Sequence, residues 1–279
     1  MIVMFGASSD IGRRATAHLL DAGFAMRLVS RNPDELDPRA EHVMGGASDA
    51  GTATAGASVV ISCAHARHTQ QILDGLGASP ASVVLVGSTW RYSKVYEPAG
   101  QEVVKAETVF ATSGRNGVML HPTMIYGGIQ ENNLRRLFAT IRRWPVLPVP
   151  GGGANLVQPV FVEDVALCIV AAATRVWKGA HVVPLCGPVP MRWRDMAEQC
   201  MTVLGLRRPM LPIPLAPAIT MLELARKVGI RTPLDPNVLR RFQEDVTFSP
   251  QQMMDELGVT PRDFATGLAQ MLAEDDVRL

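Results

Sequence analysis

Seven residues, Gly6-Ala-Ser-Ser-Asp-Ile-Gly12, lie directly between a strand-like run, Ile2–Phe5, and a stretch of helical periodicity. That stretch puts Ile11, Ala15, His18, Leu19 and Ala22 on one face and ends at Gly23. A Gly-rich turn between a first strand and a first helix is the arrangement that receives a diphosphate. The turn lets the backbone approach closely, and the helix N-terminus offers unpaired N–H groups. Gly6 and Gly12 are expected to supply the tight turn and the close helix–strand packing. Ser8, Ser9, Asp10 and Ile11 complete the loop, with the serines and Asp10 able to cap the helix or to meet phosphate oxygens. A carboxylate at Asp10 suits a diphosphate site only if it points elsewhere or caps the helix.

The pattern continues with short apolar runs at Met26–Val29, 43–44, 58–62, 83–86 and 118–120, separated by helical stretches such as 70–76 and 101–111. Compact apolar runs alternating with helices predict an α/β fold, a doubly wound parallel sheet covered on both faces. Residues 45–56, rich in Gly, Ala and Thr, show no periodicity and read as a loosely specified crossover or loop. Beyond Pro122, proline and glycine gather in residues 145–159, and a further strand is expected at Val182-Val183. The division expected is a dinucleotide-binding domain over 1–185 and a small, mostly helical C-terminal lobe over 186–279. Residues 123–158 are expected to contribute to that substrate lobe.

The charges nearly cancel, 27 Lys+Arg against 26 Asp+Glu in 279 residues, so neither nucleic acid nor an anionic membrane is indicated as a partner. The longest apolar run, 165–173, is under half a membrane span. The N-terminus lacks a basic stretch leading into an apolar one, so no signal peptide is expected. Cys63, Cys168, Cys186 and Cys200 are far apart among apolar neighbours and read as reduced thiols of a cytoplasmic protein. His65 and His68 have no second ligand pair nearby, and no metal is expected.

The motifs themselves resemble a known family. Residues 6–17, Gly6-Ala-Ser-Ser-Asp-Ile-Gly-Arg-Arg-Ala-Thr-Ala17, are similar to the cofactor loop of the short-chain dehydrogenase/reductase superfamily, with Asp10 where short forms carry glycine. His121-Pro-Thr-Met-Ile-Tyr-Gly127, Gln158-Pro-Val-Phe-Val-Glu-Asp-Val-Ala166 and the stretches 245–250 and 256–264 resemble the extended and atypical branches. These branches include epimerase/dehydratase-like enzymes and relatives of the Rossmann subunit of complex I. The resemblance implies a Rossmann-type sheet, with Cys63, Ala64 and Pro122 on the nicotinamide side. Ala47 stands near a place where the family has an Asp contacting adenine.

After the second strand the chain reads Ser30-Arg31-Asn32, with no acid to bond a ribose 2′-hydroxyl. A guanidinium there suits a 2′-phosphate, and Arg13 and Arg14 add charge at the helix start. NADP(H) is therefore expected over NAD(H).

The superfamily's chemistry also implies a Tyr-x-x-x-Lys pair, the lysine easing proton exchange by the phenol. Only Tyr92, Tyr96 and Tyr126 exist, and Gln101 stands four residues before Lys105. The catalytic candidates are Ser88 and Thr89 for holding the reacting oxygen, Lys105, and Tyr92, or Tyr96 on the same loop, as a substitute acid. Tyr126 and His121 read as packing residues. The expectation is an oxidoreductase or epimerase/dehydratase homologue acting on a small molecule. A catalytically silent dinucleotide-binding sensor or assembly protein is the alternative. Neither substrate nor oligomeric state follows from the sequence.

Overall fold

The computed structural model describes residues 1–32, 36–129, 133–229 and 236–276. In the first half, β1 (Ile2–Phe5), α1 (Asp10–Asp21), β2 (Met26–Ser30) and β3 (Glu41–Met44) are followed by α2 (Ala50–Ala53) and β4 (Val59–Ser62). Then come α3 (Thr69–Gly75), β5 (Ser82–Val86), α4 (Pro98–Thr112) and β6 (Gly117–Pro122). The middle of the chain holds β7 (Ile125–Tyr126), α5 (Asn133–Arg143), β8 (Leu147–Pro150), β9 (Leu156–Val157), β10 (Val160–Phe161) and α6 (Val162–Thr174). It closes with β11 (Ala180–Leu185), β12 (Met191–Arg192), α7 (Trp193–Val203), β13 (Met210–Ile213), α8 (Leu215–Lys227), α9 (Pro236–Arg241), α10 (Gln251–Leu257) and α11 (Phe264–Asp276).

Seven strands form one parallel sheet in the order β11-β6-β5-β4-β1-β2-β3. The order reverses between β1 and β4, where a doubly wound sheet opens a crevice at its C-terminal edge. Strand alternation sends Ile2 and Met4 into one core with α1 and α6, and Val3 and Phe5 into a second with α2, α3 and α4. All four residues of β1 are buried, as a central strand covered on both faces requires.

Residues 45–56 are not a loose loop. After a 3₁₀ turn at Ala47–Asp49, α2 buries Ala50 and Ala53. A Cβ on Gly75 would press on the Ala50 side chain, so small residues on both sides allow this close crossover. Packing, not periodicity, orders a segment too short to show a period.

The C-terminal region is largely helical. From it, α7, α10 and α11 lend Met196, Cys200, Met253, Leu257, Leu268 and Met271 to the main core. Ile219, Leu222 and Leu239, from α8 and α9, form a separate small cluster. Among the described residues, no helix is long and apolar enough to cross a membrane.

Candidate functional site

The turn after β1 is built for close approach. Gly6 has φ +73°, and a Cβ there would sit 2.6 Å from the Ala64 nitrogen and 2.7 Å from the Cys63 carbonyl carbon. A Cβ on Gly12 would collide with the Gly6 carbonyl oxygen. Only glycine lets the loop lie flat between the ends of β1 and β4, where the Cys63 N–H also bonds the Phe5 carbonyl at 2.9 Å. Ser9 is the N-cap of α1. Its hydroxyl donates to the Gly6 carbonyl at 2.8 Å and accepts the Gly12 N–H at 3.2 Å. The Asp10 carboxylate accepts the Ile129 N–H at 3.0 Å and so braces the loop after β7. Ile11 is buried in the first helical turn, while Ser8 is half-buried on the loop. These features fit a bound diphosphate, with a helix N-terminus facing a surface that side chains would block.

Beside this loop, Ala7, Arg13, Thr16, Leu28, Leu36, Asp37 and Pro38 line a cavity of about 250 Å³. In doubly wound dinucleotide-binding sheets the adenosine lies on this side, beyond the end of the second strand. Arg31 is exposed just past β2. Arg14 turns away from the loop and pairs with Glu163 and Glu274, joining α1 to α6 and α11. Its expected contribution to the cofactor's charge is thus replaced by a structural one, because the i+1 position from Arg13 faces another side of the helix. The chain does bring an acid to this end. Asp37, seven residues beyond β2, is held by Arg39 at 2.7 Å, and that bond keeps its carboxyl below the usual range. Sequence spacing alone pointed to Ser30-Arg31-Asn32 and passed over it.

A second cavity, about 410 Å³, opens between the ends of β4 and β5 and the face of α4. Its lining includes Cys63, Ala64, His65, Ser88, Trp90, Ala99 and Val103. Burial pushes the Cys63 thiol up to about 12, so this sulfur is not a thiolate. Ser88 reaches the cavity. Its oxygen accepts the Trp90 N–H at 3.2 Å, which leaves its proton to donate. Thr89 does not reach it: the side chain is buried and its hydroxyl donates to the Pro122 carbonyl at 3.2 Å, tying β5 to β6.

Helix α4 shows Ala99 and Val103 to the cavity, whereas Gln101 and Lys105 share the exposed face. The pocket-facing pair at i and i+4 is therefore alanine and valine. Neither Gln101 nor Lys105 joins Ser88, because two positions along a helix turn a side chain by more than half a revolution.

Tyr92 stands outside the cavity lining, its ring 5.9 Å from His121 and 5.3 Å from Phe248. Burial raises its phenol above the ordinary value, so it stays protonated. His121 is fully buried. Its Nδ1 accepts the Ser88 N–H at 3.0 Å, which places the ring proton on Nε2, 2.9 Å from Glu107. Glu107 also takes a two-pronged contact from Arg91. Burial works against the carboxylate, but the Arg91 and His121 hydrogen bonds prevail and hold Glu107 below its usual range. Tyr126 is buried against Phe161 and Phe264 and belongs to the core.

A buried glutamine joins two segments of the C-terminal half. Gln158, almost fully buried, donates to the carbonyls of Gly187 at 2.6 Å and Phe248 at 3.0 Å and accepts the Phe248 N–H at 2.8 Å. Glu244 accepts from Ser93 Oγ at 2.7 Å and from the Lys94 N–H at 2.6 Å. Glu244 thus ties the 244–248 segment to the loop after β5, while Gln158 ties it to Gly187 after β11. Gln158 had no sequence signal beyond the motif that contains it, and Glu244 had none.

Residues 6–128 match the family model described as NAD(P)H-binding. No curated protein sequence matches the chain. Among solved structures, MoeE5 in complex with UDP-glucuronic acid and NAD is similar with a TM-score of 0.76 at 16% identity, over 100% of this chain and 99% of that one. An NADPH-dependent quinone oxidoreductase (QOR2) from Escherichia coli is similar with a TM-score of 0.77 at 14% identity, over 98% and 100%. A dTDP-glucose 4,6-dehydratase from Bacillus anthracis in complex with NAD gives 0.74 at 14% identity, over 98% and 95%. At such identities the likeness is one of fold.

Proposed function

We propose that this chain, whose fold is that of the extended and atypical short-chain dehydrogenase/reductases, binds NADP(H) and acts as an oxidoreductase or epimerase/dehydratase homologue on a small molecule. The observation that carries this reading is the cavity at the ends of β4 and β5, which abuts the Gly6–Gly12 cradle through Cys63 and Ala64. A bound dinucleotide would be held by the loop at Gly6, Ser8, Ser9, Asp10, Ile11 and Gly12, with Arg31 at the 2′-phosphate and Cys63, Ala64 and Pro122 on the nicotinamide side. When bound it supplies hydride chemistry. Within the cavity, Ser88 orients the reacting oxygen. The usual phenol and ammonium are replaced by Ala99 and Val103, so another group must exchange the proton. Residues 1–185 serve as the cofactor half and 186–279, with 123–158, as the substrate lobe. Four free cysteines and a near-neutral charge support a cytoplasmic place and no nucleic-acid partner.

The same replacement supports a second reading, a catalytically silent dinucleotide sensor or assembly protein. Calorimetric titration with NADPH and NADH tests binding, and a panel of carbonyls, quinones and sugar nucleotides followed at the nicotinamide absorbance tests turnover. Tight NADPH binding with turnover is expected. Binding without turnover moves the assignment to the silent protein, and no binding of either dinucleotide overturns both.

A further inference from the structure

His65 follows β4 by three residues and lines the cavity that Ser88 also faces. Its Nδ1 lies 3.1 Å from Glu102 Oε2 on α4, within charge-assisted hydrogen-bond reach. The Arg67 N–H approaches the same nitrogen at 3.5 Å, the outer limit for a hydrogen bond. In the imidazolium, Nδ1 carries a proton and pairs with this carboxylate, which can only accept. Nε2 has no hydrogen-bond partner among the described residues. An imidazole that lines a cavity beside a serine hydroxyl, with a carboxylate at ion-pair distance from Nδ1, is arranged as a general acid/base. The other charged or titratable neighbours on its own turn are Arg67, which donates from Nε to His68 Nε2 at 3.3 Å, and His68 itself. On α4, the facing wall is Ala99 and Val103, with Glu102 beside them.

From this geometry we infer that His65, positioned by Glu102, is the proton-exchanging residue of the cavity in place of the absent tyrosine. The inference rests on the oxidoreductase reading above. In the reducing direction, the hydride brings both electrons to a carbonyl carbon while the carbonyl π pair moves to oxygen. That oxygen takes the proton from Nε2 of a His65 imidazolium, and Glu102 keeps Nδ1–H in place throughout. Solvent at the pocket mouth, where His65 is 46% exposed, restores the proton. In the oxidising direction the Nε2 lone pair receives the alcohol proton. Ser88 holds the oxygen from the β5 side.

The test uses the full-length protein with NADPH and, as probes, menadione, 9,10-phenanthrenequinone and an aldehyde series. His65→Ala is expected to lower kcat by about 100-fold or more, while the NADPH dissociation constant stays within about threefold. Added imidazole should restore a substantial part of the loss, which a merely structural role would not permit. Glu102→Ala should lower kcat with KM for NADPH unchanged, and Glu102→Asp should recover part of it. In wild type, NADPH should protect His65 from diethyl pyrocarbonate while leaving the exposed His42 reactive. His42→Asn serves as the control of unchanged activity. Turnover that survives His65→Ala, a loss imidazole does not rescue, or a loss found in Tyr92→Phe instead overturns the role of His65 and leaves the oxidoreductase reading intact. NADPH binding with no turnover in wild type overturns that reading, and the role of His65 with it.

Discussion

The Ser88 backbone N–H donates to Nδ1 of His121 at 3.0 Å, and this bond sets the turn from which Ser88 faces the cavity. A Cβ on Gly87 would sit 2.5 Å from the same nitrogen, so the strand end has no side chain where the imidazole lies. Burial depresses His121 below the ordinary histidine value, the Glu107 bond opposing it. A neutral His121 is thus part of the folded state.

Stability should therefore fall on mild acidification. Below about pH 6.5, the unfolded histidine value, the unfolded chain binds a proton that the folded chain resists, until pH reaches the lower folded value. Urea unfolding at pH 7.5, 6.5 and 5.5 should show declining stability, with the decline smaller in His121→Gln. A flat wild-type profile matched by the variant would contradict the assignment.

Gly6→Ala should cost about 1–3 kcal/mol of stability, since it combines a positive φ with a clash at Ala64. Dinucleotide affinity should drop at least tenfold, because the loop must shift outward into the diphosphate's place. Thermal unfolding and calorimetry read the two effects separately.

Substitution of Arg31 and of Asp37 tests the proposed preference for NADP(H). Arg31→Ala should lower NADPH affinity about tenfold with little change for NADH. Asp37→Asn should weaken NADH more than NADPH, since a carboxylate at the adenosine end serves a 2′-hydroxyl and repels a 2′-phosphate. Equal responses to both dinucleotides in Arg31→Ala would remove the 2′-phosphate role.

Gln158→Leu should destabilise the protein by about 2–4 kcal/mol, because the Gly187 carbonyl and both polar groups of Phe248 lose their buried partner. Hydrogen exchange should show the 244–250 segment opening first. Unchanged protection there would mean that the bonds of Glu244 to Ser93 and Lys94 and of Asp245 and Val246 to Leu156 hold the segment without Gln158.

The sheet and the diphosphate cradle were legible because their causes are local. An apolar run, a glycine pair and a helical period occupy adjacent residues, and the steric demands at Gly6 and Gly12 act within that stretch. Which face of α4 meets the cavity was not legible. Reading Gln101 and Lys105 as the paired positions depended on a register that only packing settles: burial of Val103, Ala106 and Phe110 turns Ala99 and Val103 toward the cavity. Asp37 reached the adenosine end through the path of a loop, and Arg14 was drawn off by acids 149 and 260 residues away. The meeting of His65 with Glu102, like that of Ser88 with His121, joins residues more than thirty positions apart. The sequence by itself determined the fold class and the place of the cofactor loop, since short-range sterics and hydrophobic period suffice for both. The tertiary structure alone decided which side chains share the cavity, because that follows from how helices rotate and loops close when apolar faces are buried together.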